Sequence, residues 1–397
     1  MLPFSTFLTF YMLSMTKQNI KGFTIAELED FAHSIGEKKF RGKQLFDWLY
    51  TKEASSFAEM TSLSKQLREK LLSAASIDSI QLVASQTSRE DGTTKFLFEL
   101  HDGKRIESVL IPPRTAFKDS EAKGEEEQKR LTLCVSTQVG CPLDCKFCAT
   151  ASMGFLRNLT AGEIIDQVLQ AKRISGKKIT NLVYMGMGEP MMNYDNVMAS
   201  AEIITTGMGI GAKRITVSTA GWASKIRQMA DENRKVKLAV SLHTLDDEAR
   251  TGLMPINKKF NLRELLDAVA YYYRKTKQRV TFEYILFEGW NDRQEDAERL
   301  VKLAKNIPCK FNIIPFHAIA FIHPSGVSAD LRPATLKRME QFVDKLREAH
   351  VTVFVRSSAG EDIDAACGQL AVAVERERRR EAVPERFQHF MNTVKVP

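Results

Sequence analysis

Residues 131–150 read LTLCVSTQVGCPLDCKFCAT: a short run of β-forming residues, then Cys141, Cys145 and Cys148 at Cys-x3-Cys-x2-Cys spacing. Three thiolates this close on one loop can wrap three corners of an iron–sulfur cube and leave the fourth iron without a protein ligand, open to a substrate. A structural zinc site is the alternative. It needs four ligands and could recruit Cys134, although zinc sites favour two separated cysteine pairs. The flanking Phe147, Met153 and Phe155 could cover a cluster against solvent, or serve as ordinary core.

Outward from this loop, short β-rich runs alternate with helical patterns. The runs are LTLCVS (131–136), ITNLVYMG (179–186), RITVSTAG (214–221), VKLAVSLH (236–243), VTFEYILFEG (280–289), CKFNIIPFH (309–317) and VTVFVRS (351–357), with AGEIIDQVLQAKRI (161–174) and NLRELLDAVAYYYRK (261–275) among the helices. Such alternation implies βα units around a parallel sheet, an α/β fold that curls into a full or partial barrel or stays open with helices on both faces. In a barrel, function collects at the C-terminal strand ends. The cysteine loop follows the first strand, and MGMGEP, STAG and SLH end the next three, so four motifs converge on one rim. There Gly188 permits close backbone approach to a ligand, Glu189 can accept from an ammonium, and Ser218, Ser241 and His243 offer hydroxyl and imidazole groups. Each alone is an ordinary loop or core residue; together with the cysteine loop they become a candidate small-molecule clamp.

Residues 21–78 read as a small helical accessory domain, with helical apolar spacing in IAELEDFAHSIG (25–36) and SLSKQLREKLLSA (62–74). The pattern over 79–113 changes to period two in TKFLFEL and RIESVLIP around His101-Asp102-Gly103-Lys104, a β-hairpin signal. Residues 114–130 are almost devoid of apolar side chains and read as a solvated linker and domain boundary. The main domain is expected over 131–372 and a charged tail over 373–397. Residues 1–20 are read as an extra segment or misassigned start: their apolar opening run of fifteen residues, MLPFSTFLTFYMLSM, lacks a basic leader and a cleavage site and is shorter than the roughly 20 residues of a membrane span.

The chain has 397 residues, 44% hydrophobic, with a net charge of +8. That length suits several units and a sizeable core, and the basic excess suits a polyanionic partner. Six cysteines in so long a chain are no secreted disulfide framework and point to a reducing compartment and metal. A cytoplasmic protein with no membrane association is expected.

CVSTQVGCPLDCKFCAT, MGMGEP, SLH, PINKK and above all GEDIDAACGQL resemble the RlmN/Cfr group of radical S-adenosylmethionine (SAM) RNA adenine methyltransferases, over residues 22–372. The resemblance implies a partial (β/α)6-type radical SAM barrel with a small N-terminal helical accessory domain and a β-hairpin connection. It implies a [4Fe-4S] cluster on Cys141, Cys145 and Cys148, whose open iron chelates SAM and whose electron generates a deoxyadenosyl radical. SAM contacts fall on Gly188, Glu189, Ser218, Ser241, Leu242, His243 and His317. Cys367 matches the S-methylated carrier, Cys134 the resolving thiol and Glu107 the proton acceptor. Without the resemblance, both cysteines would be buried structural residues and Glu107 a solvated charge. The implied reaction uses two SAM molecules to methylate C2 of an adenine in 23S rRNA and in tRNA, in a monomer served by an external electron donor such as flavodoxin. A C8-methylating relative and a non-catalytic zinc-stabilised RNA-binding protein are the competing readings. RNA contact is expected from Lys38, Lys39, Arg41, Lys43 and Arg157. Two departures from the family pattern stand out: His317 occupies a position where members carry Asn, and Ala359 one where an Arg is frequent.

Overall fold

The computed structural model describes residues 17–113, 130–356 and 359–372. Most of the expected N-terminal extra segment, all but the last residue of the charged linker, and the tail 373–397 lie outside the described residues. Two compact units meet in sequence at Asp78 and Ser79.

The first unit is helical. α1 (Ile25–Ser34) starts at a capping box, in which Thr24 accepts from the Glu27 amide and the Glu27 side chain reaches back to the Thr24 backbone. It is joined by α2 (Phe40–Phe46) and α3 (Lys65–Ala74) around Leu28, Phe31, Leu45, Phe46, Leu67 and Leu71. The unit begins before residue 21: β1 (Gln18–Asn19) pairs in parallel with β2 (Ala75–Ser76), and Ile20 is buried. Gly42 lets α2 press on the backbone of α1, since any Cβ there would collide with Leu28 and Glu29 main-chain atoms.

The second unit is built on a ten-stranded sheet in the order β14-β13-β12-β11-β10-β9-β6-β5-β4-β3. Its parallel part comprises β6 (Thr132–Cys134), β9 (Asn181–Tyr184), β10 (Ile215–Thr219), β11 (Lys237–Ser241), β12 (Val280–Leu286), β13 (Cys309–Pro315) and β14 (Val353–Val355). Right-handed crossover connections favour this arrangement of helices and strands. The helices carry their own stop and start signals. α4 (Ala161–Ser175) has a Thr160–Glu163 capping box and ends on left-handed Gly176, and α8 (Leu262–Thr276) has an Asn261–Glu264 box. α5 (Tyr194–Gly207), α6 (Ala223–Asp231), α7 (Asp247–Leu253), α9 (Gln294–Asn306) and α10 (Leu336–Glu348) complete the set relevant to the site.

The antiparallel strands β3 (Gln81–Thr87), β4 (Thr94–Glu99) and β5 (Arg105–Ile111) extend the same sheet, because β5 pairs with β6 from Val109–Cys134 to Ile111–Thr132. The expected domain boundary at 114–130 is therefore corrected: the segments on its two sides are neighbours in one ladder, which satisfies backbone groups that an unpaired edge would expose. A small hairpin of β7 (Gln138–Gly140) and β8 (Phe155–Asn158) flanks the cysteine loop.

An alanine at Gly42 is expected to destabilise the first unit by about 1–3 kcal/mol. Amide hydrogen exchange across α1 and α2 in the full chain should speed up by roughly ten- to hundredfold while the amides of the ten-stranded sheet keep their protection. Unchanged exchange would show that the two helices can move apart at no cost.

Candidate active site

The cysteine loop is held from three directions. Gly140, at φ 73°, lies so close to the Gly154 carbonyl that no side chain would fit, and the Cys141 amide donates to that carbonyl at 2.8 Å. The Lys146 amide donates to Leu253 at the end of α7 (2.9 Å), and the Ala149 amide to Gly368 (2.6 Å). Leu143, Cys145 and Cys148 pack on an apolar floor that includes Phe147, Leu253, Met254, Ile285, Phe287, Ile314 and Phe316. Phe147 also meets His243 edge-on, with ring centroids 4.6 Å apart. Met153 is buried, as either a cover or ordinary core would be, whereas Phe155 is 45% exposed and belongs to the outer edge of the β7–β8 hairpin.

All three cysteines line one cavity at the strand ends, together with Gly188, Glu189, Ser218, Ser241, His243 and Cys367. Cys367 also lines an adjoining smaller cavity with Cys134, Met185, His317, Arg356 and Ala359. The six cysteines of the chain are free thiols. Burial pushes the Cys141 and Cys134 thiols up to about 12 and raises Cys145 and Cys148 as well, so as bare side chains these four hold their protons at neutral pH. Among the described residues no three His, Cys, Asp or Glu side chains converge on a point one metal ion would occupy, which a tetrahedral zinc site requires. The donor set, three thiols around a cavity with an apolar floor, fits a multinuclear cluster whose iron charge would draw the sulfurs into thiolate form.

Gly188 sits at φ 97°, with the Gln138 side chain where its Cβ would be (2.5 Å), so this approach of loop to strand admits glycine only. Buried Glu189 accepts from the Met191 amide (2.9 Å) and the Ala220 amide (2.7 Å), and burial raises its pKa. Its carboxylate thereby ties the ends of β9 and β10 together. His243 is buried in a left-handed conformation and its Nδ1 accepts from the Ile285 amide at 3.0 Å. That bond leaves Nε2 as the protonated nitrogen, and burial, reinforced by the Arg250 charge, pulls the pKa down to about 3; the imidazole is a neutral, fixed donor. Leu242 is buried beside this cavity and is engaged by its backbone, with its amide donating to Glu283 (3.0 Å) and its carbonyl accepting from Arg250 (3.3 Å). His317 lies in the smaller cavity with Nδ1 3.4 Å from a Glu361 oxygen but without a hydrogen bond to it. Glu107 is buried on β5, its Oε1 3.6 Å from Lys95 Nζ and its Oε2 without a hydrogen-bond partner; burial raises its pKa.

Two family models match the chain: the radical SAM superfamily over residues 135–304, and the ribosomal RNA large subunit methyltransferase N-terminal domain over residues 18–77. A probable dual-specificity RNA methyltransferase RlmN of Christiangramia forsetii is 43% identical over 361 residues, which is 89% of this chain and 96% of the relative. One from a Thermotoga species is 43% identical over 355 residues, covering 89% and 97%. The crystal structure of a radical SAM methyltransferase from Sphaerobacter thermophilus superposes with a TM-score of 0.77 at 39% identity, covering 89% of this chain and 99% of that one. The chain belongs to the RlmN family of radical SAM RNA methyltransferases. Membership implies SAM and a [4Fe-4S] cluster as its cofactors, and RNA as its substrate.

Within this RlmN-family site, several residues were not foreseen from sequence. Glu283 and Arg356 line the main cavity, with Arg356 Nη1 3.6 Å from Glu283 Oε2 and 3.4 Å from Met185 Sδ. The nearby acidic groups, Cys367 first and then Glu283 and Cys134, favour the Arg356 cation over its neutral form against the opposing effect of burial. A lone Glu inside VTFEYIL, a strand buried along its whole length, was the available signal. Arg157, expected on RNA, is instead clamped by Asp102 (2.7 and 3.1 Å) and Glu163 (2.8 Å to each oxygen), and it holds the Asp102 carboxyl well below the usual carboxylate range. Lys38, Lys39 and Lys43 are exposed, Lys39 pairing with Asp30 at 3.3 Å, and Arg41 is half-buried over the Phe40 ring.

Since His243 stays neutral when folded but protonates below about pH 6.5 when unfolded, the unfolded chain binds the extra proton, and stability falls as pH drops from 6.5 toward 3. Denaturant titrations of the apoprotein should show the wild type losing up to about 1.4 kcal/mol per pH unit more than His243→Gln between pH 6 and 4. Parallel curves would contradict the buried neutral imidazole.

Proposed function

We propose that this chain methylates C2 of adenine in RNA, acting in the cytoplasm as a monomer on the peptidyl-transferase region of 23S rRNA and on the tRNA adenine just 3' of the anticodon. The observation that carries the reading is the convergence of Cys367 with Cys141, Cys145 and Cys148 on one cavity, and of Cys367 with Cys134 on the next. Adenine C2 lies between two electron-withdrawing nitrogens, so it is a poor nucleophile for direct polar transfer. A carbon radical avoids that obstacle, and the cluster and SAM, when bound, would supply the one-electron chemistry that generates it.

The chain's own residues divide the remaining work. Cys141, Cys145 and Cys148 would hold the cluster; Gly188, Glu189, Ser218, Ser241, Leu242 and His243 form the surroundings for SAM, and His317 lines the second cavity. Cys367 carries the methyl group that becomes the bridge to adenine. Buried Glu107, whose pKa is raised, takes the C2 proton as the radical adduct loses one electron to the bound cluster. The Cys134 thiolate then attacks the sulfur of Cys367: the sulfur–carbon bond breaks with its electron pair going to the bridging carbon, which takes up a proton to become the product methyl, a Cys134–Cys367 disulfide forms, and a two-electron reductant restores both thiols. Burial keeps Cys134 protonated, and the neighbouring Arg356 charge offsets part of that penalty for the thiolate. The target base must leave its stack to reach this depth, which favours a loop or locally opened RNA.

Purified unmodified 23S rRNA and tRNA, incubated anaerobically with the protein, SAM and a reductant such as flavodoxin, should yield 2-methyladenosine on nucleoside analysis. Cys367→Ala should abolish transfer, and Cys134→Ala should accumulate a covalent RNA–protein adduct. The 8-methyl isomer would overturn the C2 assignment, and normal turnover by either variant would overturn the two-thiol route.

A further inference from the structure

Arg250, on α7 beneath the cysteine loop, is fully buried. Its guanidinium donates to four oxygens, all of them uncharged: Leu242 O (3.3 Å, from Nε), Asn257 Oδ1 (2.8 Å, from Nη1), and Ala220 O and Ser241 O (2.7 and 3.0 Å, from Nη2). Among the described residues no carboxylate forms an ion pair with it. A buried cation without a counter-charge is strongly disfavoured, and guanidinium does not escape the penalty by losing its proton at neutral pH. Something adjacent must therefore carry negative charge. Two acidic groups among the described residues interact with it electrostatically: Cys145 of the buried cysteine loop, whose neighbour Lys146 donates its amide to the Leu253 carbonyl of the same helix, and Asp247, which is exposed, screened by solvent and linked to Arg250 only through Asn257 (Asn257 Nδ2 to Asp247 Oδ1, 3.0 Å), so the buried counter-charge falls to the cysteine loop.

We propose that Arg250 is the buried counter-cation of the iron–sulfur centre and sets its reduction potential. This inference rests on the assignment of a [4Fe-4S] cluster to Cys141, Cys145 and Cys148. By charge count, a cluster core of charge two-plus bound by three thiolates carries one net negative charge, and two after it accepts one electron from an external one-electron donor. No proton moves and no bond is made or broken in that step. Adding the second negative charge in a site walled by Phe147, Phe287 and Phe316 is opposed by poor solvation. A fixed positive charge at the back of the loop favours the reduced form over the oxidised one, and cluster potentials respond to such local charge. The same four hydrogen bonds join the ends of β10 and β11 to Asn257 of the PINKK turn, so the charge is held in place by the strand ends that form the SAM side of the cavity. Arg250 touches no reacting atom; its role is to position charge.

The test is an EPR-monitored redox titration of the anaerobically purified wild type, Arg250→Lys and Arg250→Gln, with iron content measured in parallel. Arg250→Gln should lower the equilibrium constant for cluster reduction about tenfold, a shift of about 59 mV to more negative potential for a one-electron couple, while Arg250→Lys should keep the wild-type value. An unchanged potential in Arg250→Gln, or an equal drop in Arg250→Lys, would overturn the proposal. Should Arg250→Gln fail to hold iron, Arg250→Met replaces it. Loss of iron in both neutral variants but not in Arg250→Lys sustains the charge requirement, and loss in all three makes the role structural and overturns it. A wild type without iron would instead defeat the cluster assignment on which the inference rests.

Discussion

The arrangement depends on one strap of backbone, residues 359–372, laid across the mouth of an open sheet. The sheet ends at β14 on one side and β3 on the other, and the strap spans that opening. The Gly360 amide donates to Asp91 (3.0 Å) and Lys95 Nζ to the Asp364 carbonyl (3.3 Å), on the hairpin side. Farther along, Gly368 O accepts from Ala149 (2.6 Å) and Leu370 O from the Thr150 hydroxyl (2.6 Å), on the cysteine-loop side. Gln369 completes the tie by donating to Ala318 beyond β13 (3.2 Å). Cys367 sits between these anchors, so its place on the same cavity as Cys141, Cys145 and Cys148 follows from hydrogen bonds of the strap and needs no favourable contact of the thiol itself.

Around that strap the site is arranged as buried charge with few ion pairs. Four thiols, Glu107, Glu189 and Glu283 are all shifted toward their neutral forms by burial, while Arg250 and Arg356 remain cations among them. Such an interior is costly unless bound groups complete the balance. That makes the folded protein a receptor prepared for an anionic metal cluster and a zwitterionic cofactor, and it separates two kinds of work. Arg250 lies against the cysteine loop, and Arg356 between Glu283 and the pair Cys134–Cys367.

Much of this was readable in residue order, for identifiable reasons. The parallel strands announce themselves because both their faces are buried, which concentrates Val, Ile, Leu and Phe into runs separated by well-capped helices such as Ala161–Ser175. The cysteine loop is readable because three ligands within eight residues need no tertiary information. What escaped depends on distant partners. β3 has every side chain exposed, so no alternation marks it, and the β5–β6 pairing joins segments separated by a charged stretch. Arg250 in DDEAR looks like one more solvated charge on a helix, and only the packing of α7 under the loop makes it internal. Phe155 looks like core but stands at a hairpin edge, and Arg157, which looks free to bind RNA, is committed to Asp102 and Glu163.

The most direct measurement of the central claim, that the strap holds Cys367 at the cluster cavity as a methyl acceptor, is peptide mapping by mass spectrometry after anaerobic incubation of the iron-loaded protein with SAM. The account requires one added methyl group on the peptide bearing Cys367 and none on those bearing Cys134, Cys141, Cys145, Cys148 or Cys309. A loaded, SAM-cleaving protein that carries its methyl on another cysteine, or on none, would contradict it.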